Sequence, residues 1–303
     1  MSARRFYLLL LPLLAIAFAS CEDVIEVEVP EEDPRLNVEG LIRVDTTEEF
    51  LPIEIKLSTT TPFFGEFQPV NEVEEIVIII QVFDEEGNSQ GTGTSVLGRD
   101  ETREGYYIPV VIEGDVDERV GMGIIEFDVL YTLVITWEGR RYAAQTRYVP
   151  AVPIAEASFG GNTLFDEDET EIVVRFTDNA DPGDYYIFDF GEGEYLPSED
   201  EFYNGQDFEF SYFVQRELTT EDPLEIKILG ADQTFYNYML LLTEQSGLLE
   251  NPFQVPVATV RGNVFDVTEL DNIENFDNAG SPMVFPLGYF AIVQEFTYTV
   301  PAE

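Results

Sequence analysis

The chain has 303 residues, of which 60 are Asp or Glu and 15 are Lys or Arg, so its formal charge is −45. It has no histidine and one cysteine, which excludes Ser–His–Asp and Cys–His nucleophiles, zinc sites built from His and Cys, and folding that depends on an intrachain disulfide. The acidic charge also disfavours nucleic acid as a partner, while the hydrophobic content of 45% is high enough for buried cores.

The N-terminus has the composition of a signal peptide. Arg4 and Arg5 precede an apolar stretch, residues 6–19, that is too short to span about 30 Å of hydrocarbon. Small residues then lead into Cys21, the only cysteine of the chain. The sequence therefore predicts that residues 1–20 are a signal peptide and that acyl chains on Cys21 anchor the protein to a membrane, since more than one chain is needed for stable attachment.

Residues 21–34 are acidic and contain proline, which predicts a tether between the lipidated cysteine and the first strand. Removal of the signal peptide takes away two arginines and no acid, so the formal charge becomes −47. Three explanations of this charge stay open, namely a saline habitat, a cation-binding surface, or an ordinary acidic exported protein.

Beyond the tether, alternation of apolar and polar residues predicts strands. Ile53, Ile55 and Leu57 alternate with polar residues, which is typical of a half-buried strand. Residues 76–82 are apolar on both faces, which indicates a central strand.

The clearest local prediction is a β-hairpin. Residues 131–137 and 142–148 alternate on either side of Glu138-Gly139, a pair suited to a tight turn. Trp137 falls within this alternation, which indicates core packing. Together these strands predict an immunoglobulin-like β-sandwich over residues 35–150.

Two prolines in residues 149–153 predict a semi-rigid connector and hence a domain boundary. Residues 151–303 are predicted to form a second β-rich domain. Its predicted strands are residues 171–176, 185–190, 208–213, 224–229 and 287–293.

One segment of the second half has helical spacing. Phe235 and Met239 belong to an apolar series that recurs every three or four residues, with Asp232 or Thr234 as N-cap and Gly247 as a stop. The sequence predicts one helix near residues 233–246, packed on the sheet of the second domain.

Clusters of acids raise the question of a metal ion. Residues 166–169 are all acidic, and residues 178–184 place Asp178, Asp181 and Asp184 close together. Calcium takes six to eight oxygen ligands at about 2.3–2.6 Å, so calcium is one hypothesis, although the spacing does not fit an EF-hand. The alternative is a solvated acidic loop, and no other cofactor is expected.

Residues 191–205 form a long stretch without a clear pattern, and long loops often carry function. Glu192 and Glu194 offer hydrogen-bond acceptors, and Tyr195 and Tyr203 offer rings that could stack on a ligand. The hypothesis is a ligand-binding loop. The alternative is an insertion without consequence.

Seven motifs in order resemble a known family. They are LNVEGLI at 36–42, EGYYIPV at 104–110, YTLVITWEGRRYAAQTRYVPAVPI at 131–154, VRFTDNADPGDYYIF at 174–188, YNYMLLL at 236–242, RGNV at 261–264 and LGYF at 287–290. Together with the lipoprotein cysteine they resemble the domain of unknown function 4249, found in lipoproteins of Bacteroidota.

The resemblance implies a cell-envelope lipoprotein of the outer membrane that acts beside a TonB-dependent transporter, because family members are often encoded next to one. It supplies no catalytic residue. It also implies that Glu22 and Asp23 are an export signal, since acids directly after a lipidated cysteine resemble surface-export signals in that phylum. The alternative is that both acids are simply part of the acidic tether.

The leading hypothesis is a non-enzymatic lipoprotein, exposed on the cell surface, that assists a transporter or captures a ligand. One alternative is a hydrolase that uses two carboxylates, such as a glycosidase, although with 60 acids some pair will meet the distance criterion by chance. Another is a passive adhesive or structural surface protein.

Overall fold

The computed structural model describes residues 34–60, 68–164, 169–180, 183–214, 216, 218, 224–246, 260–268 and 285–300. The predicted signal peptide, Cys21, Glu22 and Asp23 lie outside the described residues and stay predictions. Residues 34–303 form one compact unit. No helix among the described residues is long and apolar enough to cross a membrane.

The described residues are mainly β-strands, with one α-helix, α1, at Gln233–Ser246 and two short 3-10 helices at Met122–Glu126 and Asp200–Phe202. The strands are β1 Leu36–Val44, β2 Ile55–Thr59, β3 Gln68–Pro69, β4 Glu75–Phe83, β5 Ser89–Arg99, β6 Tyr106–Pro109, β7 Val111–Ile112, β8 Val116–Asp117, β9 Asp128–Trp137, β10 Arg140–Thr146, β11 Tyr148–Val149, β12 Ile154–Phe159, β13 Thr170–Thr177, β14 Tyr185–Asp189, β15 Tyr195–Glu199, β16 Asp207–Val214, β17 Leu224–Ala231, β18 Val264–Asp266 and β19 Leu287–Val300.

Most strands belong to one hydrogen-bonded sheet in the order β15-β14-β17-β19-β1-β2-β6-β5-β4-β9-β10-β18, with β11 also paired to β19 and β3 to β2. Two smaller sheets are β12-β13-β16 and β7-β8. The predicted fold class, mainly β with sandwich-type packing and one packed helix, is confirmed.

Strand β19 connects the two halves of the chain. It pairs in parallel with β1 from Asn37↔Leu287 to Val44↔Gln294, and in antiparallel with β17 further along. Strand β18 likewise pairs with β10. The boundary at residues 149–153 stays a prediction, but strands from both sides of it share one sheet.

The predicted hairpin is confirmed as β9 and β10. Glu138 and Gly139 have φ of 50° and 71°, and two left-handed residues are what a two-residue type I′ turn requires. Tyr131, Leu133 and Ile135 are buried, as the alternation predicts, and Trp137 packs against the same core.

A second core is built from aromatic rings between β13, β14 and β16. Phe176 lies at its centre, with ring centroids of Tyr186 and Phe188 at 5.7 and 5.4 Å. Edge-to-face contacts of this kind add to the burial of the rings.

The predicted helix is confirmed with the predicted bounds. Asp232 is its N-cap, because its Oδ1 accepts a hydrogen bond from the Phe235 N–H at 2.7 Å. Phe235 and Met239 pack on Ile187 and Leu229 of the sheet, in a third core. Gly247 lies outside the described residues.

Candidate functional sites

The predicted ligand loop, residues 191–205, contains a strand and a short 3-10 helix in the structure. Residues 195–199 form β15, which pairs with β14 from Tyr185↔Glu199 to Asp189↔Tyr195. Gly191, Glu192 and Gly193 all have positive φ at the turn between them. The sequence YLPSE has no alternation and contains proline, so the strand depends on its partner rather than on local pattern.

Tyr203 is a core residue. It is 4% exposed, its ring stacks on Phe208 at 4.5 Å, and its hydroxyl shares a hydrogen bond of 2.6 Å with Ser198 Oγ. Burial raises the pKa of Tyr203 to about 12. The ring therefore stabilises the second core.

The two glutamates of the turn interact with Arg216. Its guanidinium contacts Glu194 and donates to the carbonyl oxygen of Phe190 at 2.9 Å. Glu192 is 3.7 Å from the same side chain and is itself 76% exposed. These contacts hold the turn in place, and Glu192 is the most accessible of the four predicted loop residues.

Tyr195 belongs to a larger cluster that sequence reasoning missed, which we call the ionic row. Arg43 Nη1 lies 2.6 Å from Asp189 Oδ2 and 3.2 Å from Glu295 Oε2, and Nη2 donates to the Tyr195 hydroxyl at 3.3 Å. Lys227 lies 3.6 Å from Glu295. The five residues come from five adjacent strands, β1, β14, β19, β15 and β17.

The electrostatics of the ionic row are those of a structural network. Burial alone would lower the pKa of Arg43, but the hydrogen bond and charge of Asp189 raise it above its ordinary value. The side chains of Arg43 and Asp189 are 26% and 10% exposed. Charge-assisted bonds in such a setting fix the five strands relative to one another.

Asp178, one of the calcium candidates, is buried and fully engaged. Its Oδ1 accepts from the Tyr186 hydroxyl at 2.6 Å, and its Oδ2 accepts from the Gly205 N–H at 2.9 Å. Asp184 takes part in the loop through its carbonyl oxygen, which accepts from the Asp200 N–H. Asp181 and residues 166–168 lie outside the described residues, and calcium binding stays a prediction. Within the described part of the chain, no three acids, cysteines or histidines converge as metal ligands would.

Several carboxyl groups have a displaced pKa, and each is lowered. A hydrogen bond from Thr102 lowers the pKa of Asp100 to about 2, and one from Arg119 lowers that of Asp117 to about 2. The pKa of Glu171 is lowered by hydrogen bonds from Ser211 and Asn162. A glycosidase acid needs the opposite displacement, so these carboxylates do not match that role.

An exposed apolar surface lies around β5 to β7, and we call it the apolar patch. It consists of Val96, Ile108, Val111 and Ile112, which are 44%, 37%, 52% and 51% exposed. Val96 and Ile108 lie on paired strands, because Gly98 pairs with Ile108 and the Val110 N–H donates to the Val96 carbonyl, and Val111 and Ile112 follow in β7. The signal in the sequence was YYIPVVI at 106–112, a run without a charge in a highly acidic chain.

A cleft of about 370 Å³ lies beside the patch, between the β4–β5 hairpin and residues 117–124. Its apolar wall includes Ile80, Val82, Val120 and Ile124. The far side is formed by residues 91–94 of β5, where Gly91 and Gly93 have no side chain to extend the wall of the cleft.

Comparison with known families shows which family the chain resembles. The family model described as Domain of unknown function (DUF4249) matches residues 22–272. A comparison with curated proteins found no match.

Proposed function

The chain belongs to the family described as Domain of unknown function (DUF4249), and on that premise we propose that it is a lipoprotein of the outer membrane with a binding role. Its partner is a TonB-dependent transporter, beside which it acts as an accessory protein. The role is non-enzymatic.

The observation that carries the proposal is Cys21. It is the only cysteine, it follows an apolar segment of signal-peptide length, and an acidic stretch separates it from β1. Acyl chains on this residue would anchor the protein while the β-rich body stays in water.

The apolar patch supports a binding role. Four exposed branched side chains within one short region are unfavourable in water unless a partner covers them, and such surfaces commonly mark interfaces. Glu113, Asp115 and Asp117, which follow Val111 and Ile112 in the chain, are exposed and add negative charge beside the apolar residues.

Fractionation of a Cys21→Ser variant tests the anchor. We expect wild-type protein in the membrane fraction and the variant in the soluble fraction with an unchanged melting temperature, because Cys21 precedes the described body. Ser20→Ala is the matched control, since a small residue still precedes the cysteine, and it should stay with the membrane. A Cys21→Ser protein that resists a high-salt wash in the membrane fraction would contradict lipid anchoring.

A further inference from the structure

Among the strands of the described residues, none pairs with one edge of the first part of β5. One edge of β5 pairs with β4 from Ser89 to Val96, but on the other edge β6 pairs only with Leu97, Gly98 and Arg99. Residues 89–94 are all exposed. We call residues 89–94 the open edge.

The backbone of the open edge points its hydrogen-bonding groups outward. The Val96 N–H donates to Glu118 Oε2 at 3.0 Å and its carbonyl accepts from the Val110 N–H at 3.0 Å, so both groups of Val96 face away from β4. Because these directions alternate along a strand, the N–H and C=O groups of Thr94 and Thr92 face the same way. No strand of the described residues pairs with them.

The open edge lacks two of the protections that natural edge strands carry, namely charged residues and proline. Charged residues, proline or a bulge commonly prevent an edge from pairing with another chain. Residues 87–98 read GNSQGTGTSVLG and contain neither charge nor proline, although 60 of the 303 residues of the chain are acidic. The β4–β5 register has one irregularity, between Val82 and Phe83, which leaves Gln90 unpaired on β5, so the regular part of the open edge is residues 91–94.

The backbone and the packing of the described residues do not require glycine at two positions of the open edge, Gly91 and Gly93. Neither Gly91 nor Gly93 has positive φ, and a Cβ built on either meets nothing within 4 Å. Glycine in a strand costs stability and often marks a place where another backbone approaches. Here the missing side chains open the cleft whose wall includes Ile80 and Val82.

We propose that the open edge binds an extended polypeptide segment of a partner protein, which adds a strand beside β5. Alternate side chains of that segment are apolar and enter the cleft over Gly91 and Gly93. The intervening side chains are basic, because carboxylates stand at both ends of the edge, where Asp84 accepts from Gln90 and Glu118 accepts from Val96. The net charge of −45 opposes a second copy of this chain as the occupant.

The inference rests on the proposed binding role, for which it names a surface and a class of partner. It does not depend on the lipid anchor or on the identity of the transporter. Strand addition takes its affinity from main-chain hydrogen bonds and its specificity from alternate side chains, so a short synthetic peptide is a sufficient probe.

The test uses the full chain purified in detergent and an acetylated, amidated peptide in which valine and lysine alternate over seven residues. We expect saturable binding and slower hydrogen exchange in fragments that cover residues 89–96. A peptide with glutamate in place of lysine, and one with N-methylated backbone on its bonding edge, should each bind at least about tenfold more weakly, since each loses charge pairing or hydrogen bonds.

Two variants localise the binding. Thr92→Pro removes an N–H that faces outward and leaves the β4 ladder intact, and Gly93→Val fills the cleft. Each should weaken binding by about tenfold or more without lowering the melting temperature. Thr94→Val keeps the backbone groups and should bind within about twofold of wild type.

Any one of three results would overturn the inference. They are peptide binding by Thr92→Pro equal to that of wild type, no slowing of hydrogen exchange at residues 89–96, and a concentration-dependent dimer that Thr92→Pro abolishes. Co-purification separates this failure from that of the proposed function. A transporter recovered equally with wild type and Thr92→Pro would overturn the open edge alone, whereas peptide binding without any recovered transporter would overturn the accessory role alone.

Discussion

Replacing Arg43 with Met is expected to lower the free energy of unfolding by about 3 kcal/mol, because Asp189 and Glu295 then share a mostly buried site without their main cation. The figure lies at the low end for buried pairs, since the Arg43 side chain is 26% exposed and Lys227 still lies 3.6 Å from Glu295. Urea denaturation followed by fluorescence measures the change.

A matched control is Arg175→Met. Arg175 pairs with Glu156 on the surface, where the two side chains are 48% and 61% exposed, so its loss should cost about 0.5 kcal/mol. Asp189→Asn in the Arg43→Met background should recover part of the stability, because one unpaired charge is removed. Equal losses for Arg43→Met and Arg175→Met would show that the ionic row does not hold the strands together.

Replacing Asp178 with Ala is expected to cost about 3 kcal/mol. The change leaves the buried Tyr186 hydroxyl without its acceptor, which costs about 1–3 kcal/mol, and also removes the hydrogen bond that the exposed Gly205 donates to the carboxylate. Thermal or chemical unfolding measures the loss. In the double variant with Tyr186→Phe the hydroxyl is absent. The stability lost by the double variant should therefore be smaller than the sum of the losses of the two single variants.

Alkaline titration gives an independent check on the same pair. Burial and the hydrogen bond to Asp178 raise the pKa of Tyr186. The folded state therefore keeps this proton where the unfolded chain releases it, and the stability from Tyr186 is complete below about pH 10 and falls as pH rises further. Tyr186→Phe should lose less stability above about pH 10 than wild type, and an identical decline would contradict the assignment.

Strands and the helix could be predicted wherever local pattern decides the structure. The alternation in residues 131–137 places Tyr131, Leu133 and Ile135 on a buried face, and Asp232 provides a local cap for α1. Strand β15 escaped prediction because YLPSE lacks alternation and acquires its conformation from pairing with β14.

The ionic row could not be predicted because it depends on sheet order. Arg43 is 146 residues from Asp189 and 252 from Glu295, and they meet only because β19 returns to pair with β1. The apolar patch was more accessible to sequence reasoning. Its signal was the absence of acids from residues 106–112, which a search for acid clusters overlooks.

Site-specific crosslinking in cells tests the central claim of a transporter-binding lipoprotein. A photoreactive amino acid at Ile112, in the apolar patch, should form an adduct that mass spectrometry identifies as a TonB-dependent channel. The same amino acid at Leu164, an apolar residue that is 58% exposed next to the separate β12-β13-β16 sheet, should not. Adducts of equal yield at both positions, or none at Ile112 in outer membranes that contain the protein, would contradict the account.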